Sequence, residues 1–142
     1  MLLTGSPHID AERAFNRAAR GRRLAALTRR LRSLDVIDER CLRRRRNPPG
    51  REVVEIPVAA INGTLEPSRA EQFDSDFRPA PIARTRWQRV WLAEHRGAPL
   101  PPISVVPVDS DSYALRDGHH RVSVARARGA LTIDARIEAL TT

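Results

Sequence analysis

The stretch Leu115–Gly129, LRDGHHRVSVARARG, decides the fold of this chain, because a strand-like apolar pattern changes into a helical one within it. Two short apolar runs, 103–108 and 112–116, are typical of strands and are joined by turn-forming residues. Helical spacing follows over 119–128, and strict alternation of apolar and polar residues follows over 131–138. The sequence therefore predicts a hairpin of strands, a sharp turn, a helix and a closing strand.

The turn inside this stretch has the composition of an anion-binding corner. Asp117 is predicted to cap the helix, and Gly118 allows the backbone to turn sharply. The start of a helix directs unpaired amides and a partial positive charge at one point. His119 and His120 can each donate a hydrogen bond even when neutral, and Arg121 can grip two phosphate oxygens. These five residues are the predicted phosphate site; alternatively, Asp117 only caps the helix and the histidines pack or face solvent.

A strand ending in DGHHR, followed by VSVARARG and a closing strand, resembles the ParB/sulfiredoxin superfamily. In that superfamily a G-x-x-R or G-C-H-R box at this helix start holds nucleotide phosphates. Gly118 and Arg121 match the shared positions, and His120 matches the histidine of the sulfiredoxin box. The resemblance covers about residues 52–140. It implies an α/β (α+β) domain with a small mixed sheet flanked by helices.

The resemblance also implies a ligand and excludes one activity. The ligand is a nucleotide, CTP or ATP/ADP, with Mg²⁺ as a bridging ion, because a triphosphate carries more negative charge than these donors offset. The sulfiredoxin box has a cysteine where this chain has His119. An imidazole cannot replace that thiolate, so repair of sulfinic acids is excluded. Adjacent histidines chelate poorly, and no metal site is predicted.

Two further candidates follow the first predicted strand of the domain, 53–58. In the ParB family this strand leads to a Q-P-R segment near the nucleotide, and the stretch ending at Arg69 holds about that position. The resemblance implies a second phosphate contact from Arg69. In the free-serine kinases of the superfamily a glutamate soon after the first strand is the catalytic base, and Glu66 is the matching residue. The alternative is that Glu66 is a plain surface carboxylate.

Residues 1–50 are predicted to form an arginine-rich helix and linker in front of the domain at 51–142. The helix is expected over 10–34, with Asp10 as its N-cap. Its apolar stripe consists of Phe15, Ala18, Ala19, Leu24, Leu27, Leu31 and Leu34. The stripe is compatible with packing on the domain, pairing with a second subunit in a homodimer, or lying along DNA. The predicted linker carries the tentative nucleic-acid contacts Arg43, Arg44, Arg45 and Arg46.

Aromatic residues outside the motif are predicted to belong to the core. A helix is expected over 85–96, and Trp87 and Trp91 lie on one face of it. A tryptophan stripe at helical spacing is more often buried than used to stack bases. Phe73 and Phe77 are expected to pin the irregular segment before this helix to the core.

The composition restricts the partners of the protein. The 142 residues carry a net charge of +8, and every basic residue is an arginine. This charge attracts phosphates, nucleic acid or acidic partners, although a GC-rich genome also favours arginine. The single cysteine, Cys41, fits a reducing compartment. Because no apolar run is long enough to span a bilayer, a cytoplasmic protein is expected, nucleoid-associated if it binds DNA, with no membrane partner.

The function favoured by the sequence is nucleotide binding in a regulatory or chromosome-associated protein. One alternative is a small-molecule kinase or nucleotide phosphohydrolase of the same superfamily, with Glu66 as the base. Another is a basic DNA-binding accessory protein without nucleotide activity. The sequence leaves open the base of the nucleotide and whether phosphate is hydrolysed or transferred.

Overall fold

The computed structural model describes residues 3–38, 45–49 and 52–141 and shows the expected α/β architecture, a mixed sheet packed against helices. The strands are β1 Asp35–Val36, β2 Arg45–Pro49, β3 Val54–Pro57, β4 Ile61–Thr64, β5 Ile103–Pro107, β6 Tyr113–Asp117 and β7 Thr132–Thr141. The helices are α1 Pro7–Leu27, α2 Pro67–Ala70, α3 Arg84–His95 and α4 His119–Ala127, with 3-10 turns at Val58–Ala60 and Pro81–Ala83. The strands and helices predicted from 103 onward are confirmed with small changes at their ends.

The sheet has the strand order β1-β4-β6-β5-β7-β2, and β3 also pairs with β7. Strand β4 runs parallel to β6, with Thr64 opposite Leu115. Because parallel strands end at the same edge of a sheet, the residues that follow β4 and β6 become neighbours. This pairing brings the segment after Thr64 to the start of α4. The sequence did not predict β4, whose Asn62 and Gly63 are typical of loops.

Helices α1 and α3 pack together over a core centred on Trp87. The ring of Phe15 meets the Trp87 ring edge to face, with 5.5 Å between centroids. The Trp87 Nε1–H donates to Ser123 Oγ at 2.8 Å, which ties α3 to α4. Trp91 is also buried, so both tryptophans are core residues as predicted. The first half of α1 is therefore part of the domain core.

The prediction of α1 was wrong at both ends. The helix begins at Pro7 after Ser6, and Asp10 lies buried inside it, accepting bonds from the Thr4 amide and hydroxyl at 2.9 and 2.8 Å. It ends at Leu27, which is 80% exposed, so the apolar stripe does not continue to residue 34. Leu24 and Leu27, in the second half of α1, are exposed, whereas Leu34 is buried in the core beyond the end of the helix. In the part of the chain that the structure describes, no helix is long and apolar enough to cross a bilayer.

The segment predicted as an exposed linker contains a strand. Residues 45–49 form β2 and pair antiparallel with the second half of β7. The pairing is irregular between Arg46 and Pro49, and the prolines, which lack amide donors, suit the edge position of this strand. Cys41, Arg43 and Arg44 lie outside the described residues, as do the side chains of Arg45 and Arg46.

Candidate functional site

The turn between β6 and α4 is made by Gly118. Its φ of 109° and ψ of 25° place it in the left-handed region, and it holds the N-cap position of α4. Asp117 was predicted to be that cap, which is wrong, because no side chain caps α4 and the Asp117 carboxylate bonds Arg121 instead. The first amide bond of α4 runs from Val122 N to Gly118 O. The three amides before it are the orphan donors of the helix start.

His119 links the two parallel strand ends. It is buried, and its Nε2 lies 2.6 Å from Thr64 Oγ1, with which it shares a hydrogen bond. Thr64 Oγ1 in turn accepts the amide of Glu66 at 2.9 Å. Burial and then the charge of Arg69 lower the pKa of His119 to about 3. The imidazole is therefore neutral, and its hydrogen bond connects the end of β4 to the start of α4.

His120 packs against the hairpin that contains Phe73. The two rings meet edge to face, with centroids 5.1 Å apart, and His120 is 7% exposed. Burial and then the charges of Arg86 and Arg69 lower the pKa of His120 to about 4. Both histidines thus pack in the interior, as the alternative interpretation expected. The cations that surround them make the site positive without any contribution from imidazole charge.

Arg121 is already engaged within the protein. Its Nη1 donates to the carbonyl oxygens of Pro101 and Pro102, the latter at 3.2 Å, and its Nη2 donates to Asp117 Oδ2 at 3.1 Å. These bonds use three of the five guanidinium donors. The structure therefore does not show the unpaired Arg121 guanidinium that was expected to bind phosphate. Arg121 instead holds the proline-rich segment before β5 against the start of α4, with two donors remaining.

A cavity of about 240 Å³ opens at this position, and we call it the α4 corner. Its walls are Arg69, Arg86, Val90, Leu100, Pro101, Asp117, Gly118, His119, His120 and Arg121. Three guanidinium groups face one carboxylate, since both histidines are neutral. Arg86 makes no hydrogen bond or ion pair to any residue that the structure describes, and Arg69 has only a 3.4 Å contact to Gln72 Oε1. The cavity is thus suited to an anion.

The structure brings most of the predicted site together. Asp117 through Arg121 and Arg69 all line the α4 corner, Arg69 through the pairing of β4 with β6. Glu66 is the N-cap residue of the short helix α2 and is half-buried, but it does not line this cavity. Arg86 was missed, because it comes from the first turn of α3 and no sequence pattern ties that turn to the DGHHR box. Within the described ranges, no cluster of three histidine, cysteine or acidic side chains could hold a metal ion.

The lowered pKa values of the two histidines predict a loss of stability in mild acid. The unfolded chain binds protons near pH 6.5 and the folded chain only near pH 3 to 4, so stability present above pH 6.5 is lost as the pH falls. Each histidine adds up to about 1.4 kcal/mol per pH unit to the pH dependence of the free energy of unfolding. In urea unfolding between pH 7 and 4, the free energy of unfolding should fall less steeply with pH in His120→Gln than in the parent protein. His8→Gln, at an exposed position, is the matched control, and an unchanged slope in His120→Gln would contradict the assignment.

No protein-family model matches this sequence, and no curated protein matches it. Among solved structures, one match is the crystal structure of sulfiredoxin from Arabidopsis thaliana, with 23% sequence identity and a TM-score of 0.43. The match covers 61% of this chain and 83% of that one.

Proposed function

We propose that this protein binds the phosphate tail of a nucleotide at the α4 corner. The observation that carries the proposal is the excess of arginine over carboxylate around an uncapped helix start. Orphan amides and the helix dipole attract anions, and guanidinium groups bind phosphate oxygens through charge-assisted hydrogen bonds. The residues that resemble the phosphate box of the superfamily are the same residues that line the cavity.

The arginines of the α4 corner have different roles in this proposal. Arg69 and Arg86 are the available donors, because neither is held by a carboxylate among the described residues. Arg121 keeps the proline-rich segment in place and offers its two remaining donors. Asp117 is 71% exposed and competes with phosphate for Arg121. Phosphate entry therefore requires this ion pair to loosen or to be bridged by a cation.

A magnesium ion fits the corner only as part of a nucleotide complex. Asp117 is the one carboxylate among the residues that line this cavity, so the protein does not supply a full set of oxygen ligands. Mg²⁺ bound to the phosphates would offset their charge and could be approached by Asp117. The remaining ligands would come from phosphate and water.

The nucleoside would extend out of the corner. Its volume of about 240 Å³ lies below the usual range of about 300–1,000 Å³ for small-molecule sites. A second cavity of about 440 Å³ is adjacent and shares Leu100, Pro101 and Arg121 with it. The Arg121 bridge to the proline carbonyls lies between the two. Phosphates in the first cavity and a nucleoside in the second would therefore bind on either side of Arg121.

We also propose that the role is regulatory rather than catalytic. Glu66 does not line the corner, so the kinase or phosphohydrolase alternative gains no support from the cavity. Association with DNA would be an added property, supported by the net charge of +8 and the exposed arginines of α1. Its arginines on exposed positions are Arg13, Arg17, Arg20 and Arg23.

Titration calorimetry with the magnesium complexes of CTP, ATP and ADP tests the proposal. The double variant Arg69→Gln/Arg86→Gln should bind the preferred nucleotide about 100-fold more weakly, because two charge-assisted bonds of about 1.5 kcal/mol each are lost. The matched control is Arg89→Gln/Arg96→Gln, which removes the same charge from exposed positions outside the corner. Its affinity should stay within about twofold of the parent protein. Equal losses in both variants, or no binding by the parent protein, would overturn the proposal.

A further inference from the structure

A larger cavity lies at the other end of α4, and we call it the distal cavity. Its volume is about 770 Å³, and it is bounded by α1, the ends of α3 and α4, and the hairpin at 73–79. Phe77 and Trp91 form its floor, and Arg17, Arg126 and Arg128 lie in its walls. It shares no lining residue with the α4 corner. The phosphate site therefore leaves this cavity unexplained.

The floor of the distal cavity is held rigidly. Phe77 has a φ of 58°, which is rare for a residue with a bulky side chain. Its carbonyl oxygen accepts a bond from Ser123 Oγ at 2.5 Å, and that hydroxyl accepts the Trp87 indole N–H at 2.8 Å. Strained backbone conformations of this kind cluster at binding sites. The hairpin, α3 and α4 are thus locked together beneath the cavity.

The walls of the distal cavity contain more cationic donors than the protein uses. Arg78 is satisfied, because Asp74 and Asp76 pair with it at 2.8 and 3.2 Å. Among the described residues, Arg17, Arg126 and Arg128 have no ion-pair or hydrogen-bond partner, and Arg126 Nε is buried without an acceptor. Leaving a buried donor without an acceptor costs about 1–3 kcal/mol. An acidic ligand would remove that cost.

Aromatic rings and guanidinium groups alternate around the same space. The Arg126 guanidinium lies 5.6 Å from the Phe77 ring centroid, and that of Arg128 lies 5.5 Å from the Trp91 centroid. His95 stacks on Trp91 at 4.9 Å. Cations above aromatic faces place positive charge directly over the apolar rings of this cavity. This arrangement is complementary to a molecule with an apolar body and an anionic head.

We infer that the distal cavity binds a small amphipathic organic anion. The Phe77 and Trp91 rings are 1% and 3% exposed, because Arg126 and Arg128 lie over them. The acidic group of the ligand draws these guanidinium groups and that of Arg17 toward itself, and its planar apolar body takes their place over the rings. The cavity volume falls within the usual range of about 300–1,000 Å³ for such ligands. This site is independent of nucleotide binding at the α4 corner.

The anionic dye 8-anilinonaphthalene-1-sulfonate tests this inference, with its uncharged analogue N-phenyl-1-naphthylamine beside it. We expect one dye per chain, energy transfer from tryptophan to the dye, and binding of the uncharged analogue at least tenfold weaker. The variant Arg17→Gln/Arg128→Gln should lose at least tenfold in dye affinity. Both positions are exposed, so the fold should survive, which circular dichroism checks.

The control variant Arg13→Gln/Arg89→Gln removes the same charge from exposed positions outside the distal cavity. Its dye affinity should stay within about twofold of the parent protein. Saturating nucleotide should leave the dye bound, so this test can succeed or fail apart from the phosphate site. Equal affinity for the uncharged analogue, equal losses in the two variants, or several dyes per chain would overturn the inference.

Discussion

Replacing Gly118 with alanine is expected to lower the free energy of unfolding by about 4 kcal/mol, measured by urea denaturation. Two costs add at this position. A residue with a Cβ is strained at a φ of 109°. An added Cβ would also lie 2.9 Å from Ile103 Cβ, which is closer than carbon atoms approach each other in proteins. Because Ile103 is buried in β5, it has little room to move.

Gly129→Ala separates these two costs. Gly129 also has a positive φ, 75°, but no atom lies within 4 Å of its built Cβ. Its substitution should cost only the backbone strain, about 1–2 kcal/mol. Similar losses in the two variants would show that crowding against Ile103 plays no part. That result would contradict the close packing between β5 and the α4 corner.

Replacing Asp74 with alanine should lower the free energy of unfolding by about 3 kcal/mol, because it removes a buried acceptor of several hydrogen bonds. Asp74 is 1% exposed. Its Oδ1 accepts the amides of Asp76 and Arg78 at 3.0 and 2.8 Å, and its Oδ2 accepts Arg78 Nε at 2.8 Å. These bonds shape the hairpin that presents Phe73 to His120 and Phe77 to the distal cavity.

Asp76→Ala is the matched control for this hairpin. Asp76 also pairs with Arg78, but it is 62% exposed. Exposed ion pairs contribute about 0–1 kcal/mol, so this variant should unfold at nearly the same urea concentration as the parent protein. If Asp74→Ala were equally mild, the hairpin would depend on its phenylalanines alone.

The sequence was sufficient to predict the strands and helices whose local pattern agrees with their place in the tertiary structure. Strands β5, β6 and β7 and helix α4 lie within a few residues of their predicted bounds. Their apolar positions recur with the period of the element, and Gly118 marks the point where the strand period changes to the helical one. The buried tryptophans were predictable for the same reason.

Elements defined by distant partners were not predictable. Strand β4, Ile61–Thr64, contains loop-forming residues and becomes a strand by pairing with β1 on one side and with β6 on the other, where Thr64 and Leu115 are 51 residues apart in the chain. Strand β2 contains two prolines and depends on β7 in the same way. The later leucines of α1, Leu24 and Leu27, matched a helical stripe, but the fold leaves them exposed. Propensity cannot report these contacts, because they are set by the whole fold.

The candidate site also contains residues that the local sequence pattern predicts and residues that only the tertiary fold brings in. The residues of the DGHHR box are neighbours in sequence, so their meeting at one corner could be predicted. Arg86 could not, because α3 brings it there, and neither could the proline carbonyls that hold Arg121. Arg69, which the resemblance implied as a second phosphate contact, lines the same cavity as the box. The pairing of β4 with β6 that brings it there became visible only in the structure.

The most direct test of the phosphate site is a titration of ¹⁵N-labelled protein with pyrophosphate, followed by backbone amide chemical shifts. If the α4 corner binds phosphate, the largest saturable shifts will fall on the amides of His119, His120 and Arg121 at the start of α4. In Arg69→Gln/Arg86→Gln, about 100-fold more pyrophosphate than in the parent protein should be needed to reach half of the maximal chemical-shift change. Shifts confined to the arginines of α1, or amides of α4 that do not respond, would contradict the account.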